Sequence, residues 1–264
     1  MQEVRPPAVA GSFYPGARRA LEAAVRGYLA GASAASEGAE LPKALIAPHA
    51  GYVYSGAIAA SAYARIASTR GVIRRVVLLG PAHRVRVSGL AAPQAEAFAT
   101  PLGEVRLDRE ALAAVADLPQ VTVLDAAHAL EHSLEVQLPF LQIALGDFAL
   151  VPLVVGDAEP EAVAEVLERL WGGEETLVVV SSDLSHYHGY STAREMDDAT
   201  TRAIEALEPR RIGFEQACGR IPVQGLLIAA RKHGLRARAI DVRNSGDTAG
   251  PRDSVVGYGA YVFA

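Results

Sequence analysis

Three apolar runs in this sequence each lead into a histidine. Ala44-Leu45-Ile46-Ala47 is followed by Pro48-His49, and Val76-Val77-Leu78-Leu79 by Gly80-Pro81-Ala82-His83. Leu177-Val178-Val179-Val180 continues into Ser181-Ser182-Asp183-Leu184-Ser185-His186. One histidine after a strand is most often a loop residue bonded to backbone, but three in equivalent places call for a common cause. Open parallel sheets bind ligands beyond the carboxyl ends of their strands, so endings far apart in sequence can meet in one pocket. His188 and His233 lack this context and read as surface residues, and His128 falls in a polar loop.

A second dense segment is Glu131-His132-Ser133-Leu134-Glu135-Val136-Gln137-Leu138-Pro139-Phe140. Leu134, Leu138 and Leu141 make a helical stripe, so a helix beginning near Ser133 presents Glu131 and His132 at its amino end, where unpaired N–H groups favour an anion. A plain helix cap fits these residues equally well, and Pro139 implies a kink or a later start. Neutral imidazole suits zinc, iron, copper and nickel, and two histidines plus one carboxylate with open positions is the pattern of non-haem iron oxygenases. His49 and His83, with one of Asp183, Glu131 or Asp247, supply that set without any compact motif such as HExxH. The catalytic candidates are then His186, His132 and Asp183, and the metal candidates His49, His83, Asp183 and Asp247. The expected cofactor is a divalent metal, with iron(II) first and zinc or manganese as the others.

These residues need a sheet to bring them together. Ala44 to Ala47, Arg75 to Leu79, Phe148 to Val155 and Thr176 to Val180 read as strands. Helical patterns lie at Ala57 to Ala67, Asp108 to Ala116, Ser133 to Leu145, Glu159 to Leu170 and Arg194 to Leu207. Strands separated by helices mean crossover connections and a mixed, mostly parallel central sheet with helices on both faces. An amphipathic helix carrying Leu21, Val25, Tyr28 and Leu29 precedes a small, polar loop from Gly31 to Gly38. Near the end, Ala237 to Val242 and Ser254 to Phe263 are strand-like, and the turn-rich segment from Asn244 to Pro251 between them has no room for a helix. They are therefore antiparallel or separated neighbours.

With 264 residues, half of them hydrophobic, the chain can bury a large core, and one α/β domain over residues 1–264 is expected. A net charge of -5 provides no positive field for nucleic acid or an anionic membrane, which leaves small molecules or peptides as partners. No run approaches the roughly 20 apolar residues that span a bilayer, and the first residues lack a secretory pattern, so a cytoplasmic location is expected. The single cysteine, Cys218, rules out an intramolecular disulfide. With Phe214, Ala217 and Ile221 reading as an apolar stripe around it, its expected role is structural.

Several of these segments together resemble the Memo family: Arg5-Pro6-Pro7-Ala8-Val9-Ala10-Gly11-Ser12-Phe13-Tyr14-Pro15, then APHAGYVYSG (Ala47 to Gly56), GPAH (Gly80 to His83), EHSLEVQLPFLQ (Glu131 to Gln142), VVSSDLSHY (Val179 to Tyr187) and SVVGYGA (Ser254 to Ala260). The blocks run in order across nearly the whole chain. The resemblance implies a fold like that of the class III extradiol dioxygenases, although fold alone carries no activity. It also implies a metal site of two histidines and a cysteine with a further aspartate and histidine. His49 and His83 match the first pair, and Asp183 and His186 the second. The cysteine position falls near Thr248, where Asp247 offers a carboxylate in its place. Relatives in bacteria and archaea further imply a pathway shared with a radical-SAM protein and a second companion protein. Three functions follow: a metal-dependent redox enzyme or oxygenase with His186 as acid/base, a ligand- or peptide-binding module using the same pocket, and metal handling without turnover.

Overall fold

The computed structural model describes residues 4–32 and 41–264, so the first three residues and positions 33–38 of the loop read at Gly31 to Gly38 lie outside the described residues. Ala44–Ala47, Thr176–Ser181, Arg75–Pro81 and Ala149–Val155 lie side by side in that order, all parallel. Every residue of the first two is buried. That is why these stretches show no polar alternation: a parallel strand covered on both faces has no wet side.

Antiparallel strands extend this parallel core. Val255–Phe263 pairs with Ala44–Ala47 and itself carries Ala237–Asn244 and His186–His188, both antiparallel. At the other edge Leu90–Ala92 runs antiparallel to Ala149–Val155 and parallel to Val121–Val123. The result among the described residues is a mixed sheet of nine strands flanked by helices, as the alternation of strand and helix patterns predicts. Val4–Arg5, Ala97–Thr100 and Gly103–Arg106 form a separate three-stranded sheet. Arg18–Gly31, Tyr52–Tyr63 and Leu138–Leu145 pack on one another, and Pro160–Leu170 packs on Arg220–Lys232. Among the described residues no helix is long and apolar enough to cross a membrane.

Two of the expected helices are shorter than their patterns. The segment at Asp108 to Ala116 is a helix only over Arg109–Ala113, begun by the Asp108 carboxylate, which accepts from Ala111 N–H at 2.9 Å. Ser133 to Leu145 divides into a single 3-10 turn, Glu135–Gln137, and a helix, Leu138–Leu145, that holds Pro139 in its first turn. Proline lacks the N–H that an interior position must donate, so the helix begins where that loss costs nothing.

Candidate metal centre

His49 follows Ala47 and Pro48 at the end of its strand and is 2% exposed. The parallel register places Ala47 opposite Ser181, which brings the Ser181 hydroxyl 2.8 Å from His49 Nδ1. Ser181 Oγ donates to the Ser133 carbonyl at 2.6 Å and accepts from Gln137 Nε2 at 2.7 Å. With the hydroxyl proton already committed, His49 Nδ1 must be the donor to Ser181, and its Nε2 keeps a lone pair. Burial, reinforced by His83 and His132 nearby, holds His49 well below the ordinary histidine range, so the ring is neutral.

His83 is oriented by a carboxylate. Its Nδ1 lies 2.9 Å from Glu131 Oε1, and its backbone N–H donates to Glu131 Oε2 at 2.6 Å. Glu131 Oε1 also accepts the backbone N–H groups of His132 and Ser133, each at 2.9 Å. Burial alone raises Glu131, but the hydrogen bonds from His132, His83 and Ser133 outweigh it and hold the group below the usual carboxylate range. An ionised carboxylate accepts only, so His83 Nδ1 carries the proton and its Nε2 is left as a donor atom. This is the arrangement in which a second carboxylate fixes the tautomer of a metal-binding imidazole.

The third ring is His132. Its centroid is 4.6 Å from that of His83 and 5.4 Å from that of His49, and Phe13 covers it at 4.7 Å. Its Nδ1 is buried without a hydrogen bond, 3.3 Å from Glu131 Oε1. One nitrogen from each of His49, His83 and His132 lies within 4.8 Å of the other two, close enough for the three to hold one cation.

Asp183 stands directly behind this cluster, where its Oδ1 accepts the His49 backbone N–H at 2.8 Å. Burial raises its carboxyl above the ordinary value. His186 lies on the flank with Nδ1 donating to the Leu184 carbonyl at 2.8 Å, so its Nε2 is also available. Asp247 is elsewhere: it accepts from the Tyr190 hydroxyl at 2.6 Å and from Asn244 N–H at 3.1 Å, and it is not among the three clustered donors. The third member of the donor cluster is thus His132 rather than Asp247, whose loop is tied to Tyr190.

Cys218 is also misplaced by the sequence reading. It precedes the helix Arg220–Lys232 instead of lying within one, and Phe214 in the supposed apolar stripe is 85% exposed. Its Sγ lies 3.4 Å from His49 Nε2 and accepts the Asp183 backbone N–H at 3.3 Å. Burial and the neighbouring Asp183 push the thiol up to about 12, and the Sγ shares the approach to His49 Nε2 that a cation would take. The Cys-Gly pair was the available signal. A Cβ on Gly219 would sit 2.7 Å from Ser182 Cβ and 2.8 Å from the Ser181 carbonyl, so only glycine lets this segment approach the strand end. His128, read as a loop residue, is buried in the short helix Asp125–Ala129, outside the cluster.

Residues 5–262 match the family model described as Memo-like protein. The MEMO1 family protein of Aquifex aeolicus is 37% identical over 272 residues, covering 98% of this chain and 99% of its own length. That of Sulfolobus acidocaldarius is 35% identical over 277 residues, with 97% of each covered. Among solved structures, the uncharacterized protein JW3007 from Escherichia coli K12 shares the fold, with a TM-score of 0.50 at 14% identity over 84% of this chain and 100% of that one. With similarity running from the first buried arginine to the final strand, this chain belongs to the Memo family.

Proposed function

We propose that this protein is a metal-dependent redox enzyme or oxygenase acting on a small molecule, with His49, His83 and His132 as the metal ligands. The observation that supports it is the proton arrangement: Ser181 and Glu131 occupy the Nδ1 atoms of His49 and His83, so both Nε2 atoms keep lone pairs beside a third imidazole, that of His49 next to the Cys218 sulfur. His132 Nδ1 faces Glu131 Oε1 at 3.3 Å, so the same carboxylate borders two of the three rings. Three imidazoles favour iron(II) or zinc over manganese, which prefers oxygen donors. Such an ion supplies Lewis acidity and, in the case of iron, one-electron chemistry. The protein's own part is to position and to move protons. Asp183 fixes the His49 backbone, and the raised carboxyl can hold a proton near the cluster. His186, with Nδ1 anchored on Leu184, has Nε2 available to take a proton from a substrate.

Elemental analysis of untagged protein, purified without chelators, tests this reading. Stoichiometric iron or zinc is expected, and its loss in His49→Ala, His83→Ala and His132→Ala. Ser181→Ala should keep the fold yet weaken metal affinity about 10- to 100-fold, because the His49 ring loses its orienting partner. Three histidine variants that bind metal as tightly as the parent would overturn the assignment.

A further inference from the structure

Among the described residues, two that are not glycine hold a positive φ: Leu207 at 53° and Tyr187 at 61°. A residue with a Cβ is disfavoured there, so each position calls for a cause. For Leu207 the cause is internal. It follows the helix Tyr190–Glu205, the Glu208 N–H returns to the Ala203 carbonyl at 2.8 Å, and the leucine side chain packs against the core. For Tyr187 the backbone is set by a bulge: His186 pairs with Val256 and His188 with Val255, which makes Tyr187 the extra residue. Its side chain is 78% exposed, and glycine would adopt the same backbone without strain. The fold therefore gains little from a tyrosine ring that it carries at a cost.

That ring stands at the edge of the histidine cluster. It meets the His186 ring at a steep angle, with centroids 5.7 Å apart. Burial raises the Tyr258 phenol in the strand Val255–Phe263, and the nearby Asp183, Tyr54 and Tyr187 add to that rise, so the three tyrosines share one neighbourhood with the carboxylate that holds His49. Tyr258 is buried, whereas Tyr54, in the first turn of the helix that follows His49, is 40% exposed. Two solvated phenol rings thus lie beside Asp183 and His186. An aromatic ring gains most from another flat ring, offset-stacked or edge-on, beyond what burial of area alone supplies.

We propose that Tyr187 is a ligand-contacting residue and that, with Tyr54, it selects a small molecule carrying a flat, unsaturated ring, held beside His186 and Asp183. This names a substrate class for the reaction centre proposed above and rests on that reading for its chemistry, though not for binding. Backbone strain at an exposed position marks a side chain that serves something other than the fold. A saturated ring of equal size is the more hydrophobic of the two, so a plain apolar patch would favour it, whereas a pair of phenol faces favours the flat one.

The test uses the whole chain after chelator treatment, so that it does not depend on bound metal. Indole and p-cresol are titrated beside cyclohexylmethanol while NMR follows the ring signals of isotope-labelled tyrosine. Both aromatic probes should shift the Tyr187 and Tyr54 signals and bind roughly fivefold more tightly than the saturated alcohol. Tyr187→Phe keeps the ring and should bind them about as tightly as the parent. Tyr187→Gly should bind them roughly fivefold more weakly, yet melt at an equal or higher temperature by circular dichroism, because glycine relieves the strained backbone. The inference is overturned if neither aromatic probe shifts these signals, if the saturated alcohol binds as well, if Tyr187→Gly binds like the parent, or if that variant melts lower, which would show that the ring serves the fold. Metal content of untreated protein separates the two readings. Metal without ring binding removes this inference alone, whereas ring binding without metal keeps it and removes the metal enzyme.

Discussion

His128 takes no part in the cluster, yet it makes the fold sensitive to acid. Its Nε2 donates to the Ala91 carbonyl at 2.9 Å, and burial lowers the ring to about 4. The folded value lies below the unfolded one, so the unfolded chain takes up the proton first. Stability is therefore full above the ordinary histidine value near 6.5 and is lost as the pH falls through the window down to about 4. One such group costs about 2 kcal/mol between pH 7 and pH 5, and His49 acts in the same direction. Urea titrations of chelator-treated protein at those two pH values should show the loss, and His128→Gln should reduce it. An unchanged midpoint would mean that the ring is already protonated in the fold. At this scale the sequence showed the histidines, since His49, His83 and His186 each follow a core strand. It did not show Ser181 as the partner of His49, because that relation exists only once Ala47 lies opposite Ser181 in the sheet.

Close approach of elements decides where glycine is required. Gly219→Ala drives a methyl into Ser182 and the Ser181 carbonyl, so either the helix Arg220–Lys232 shifts or the strand end does. A loss of about 1–3 kcal/mol is expected from such overpacking, together with faster labelling of Cys218 by a thiol reagent as it leaves His49. Gly27 is the contrasting case: it lies inside Arg18–Gly31, and a methyl added there would meet nothing within 4 Å, so Gly27→Ala should stabilise by about 0.5–1 kcal/mol through helix propensity. Chemical denaturation of both variants checks the pair of signs. Long elements were legible because burial on both faces leaves an unbroken apolar run, as in Thr176–Ser181. Short ones such as Leu90–Ala92 and Val4–Arg5 were not, since two or three residues carry no period and are held only by distant partners.

Across the whole molecule, one buried carboxylate ties the first described residues to the cluster segment. Glu135 accepts from Arg5 Nη1 at 2.7 Å, from the Ala8 and Val9 N–H groups at 2.7 and 3.0 Å, and from the Tyr14 hydroxyl at 2.5 Å. Glu135→Ala leaves Arg5 charged and buried without its partner, a change that costs about 3–5 kcal/mol. Limited proteolysis should then cut near residues 5–14 well before the parent is cut, and equal resistance would show that the clasp contributes little. The same long reach has a bearing on biosynthesis. Val255–Phe263 sits between His186–His188 and Ala44–Ala47, both of which leave the ribosome much earlier. Until that strand is made, Ala44–Ala47 keeps one unpaired edge, and the nascent chain carries an apolar strand able to pair with a neighbour on the same polysome. Aggregation during translation, before the last strand is made, is the consequence expected of this topology.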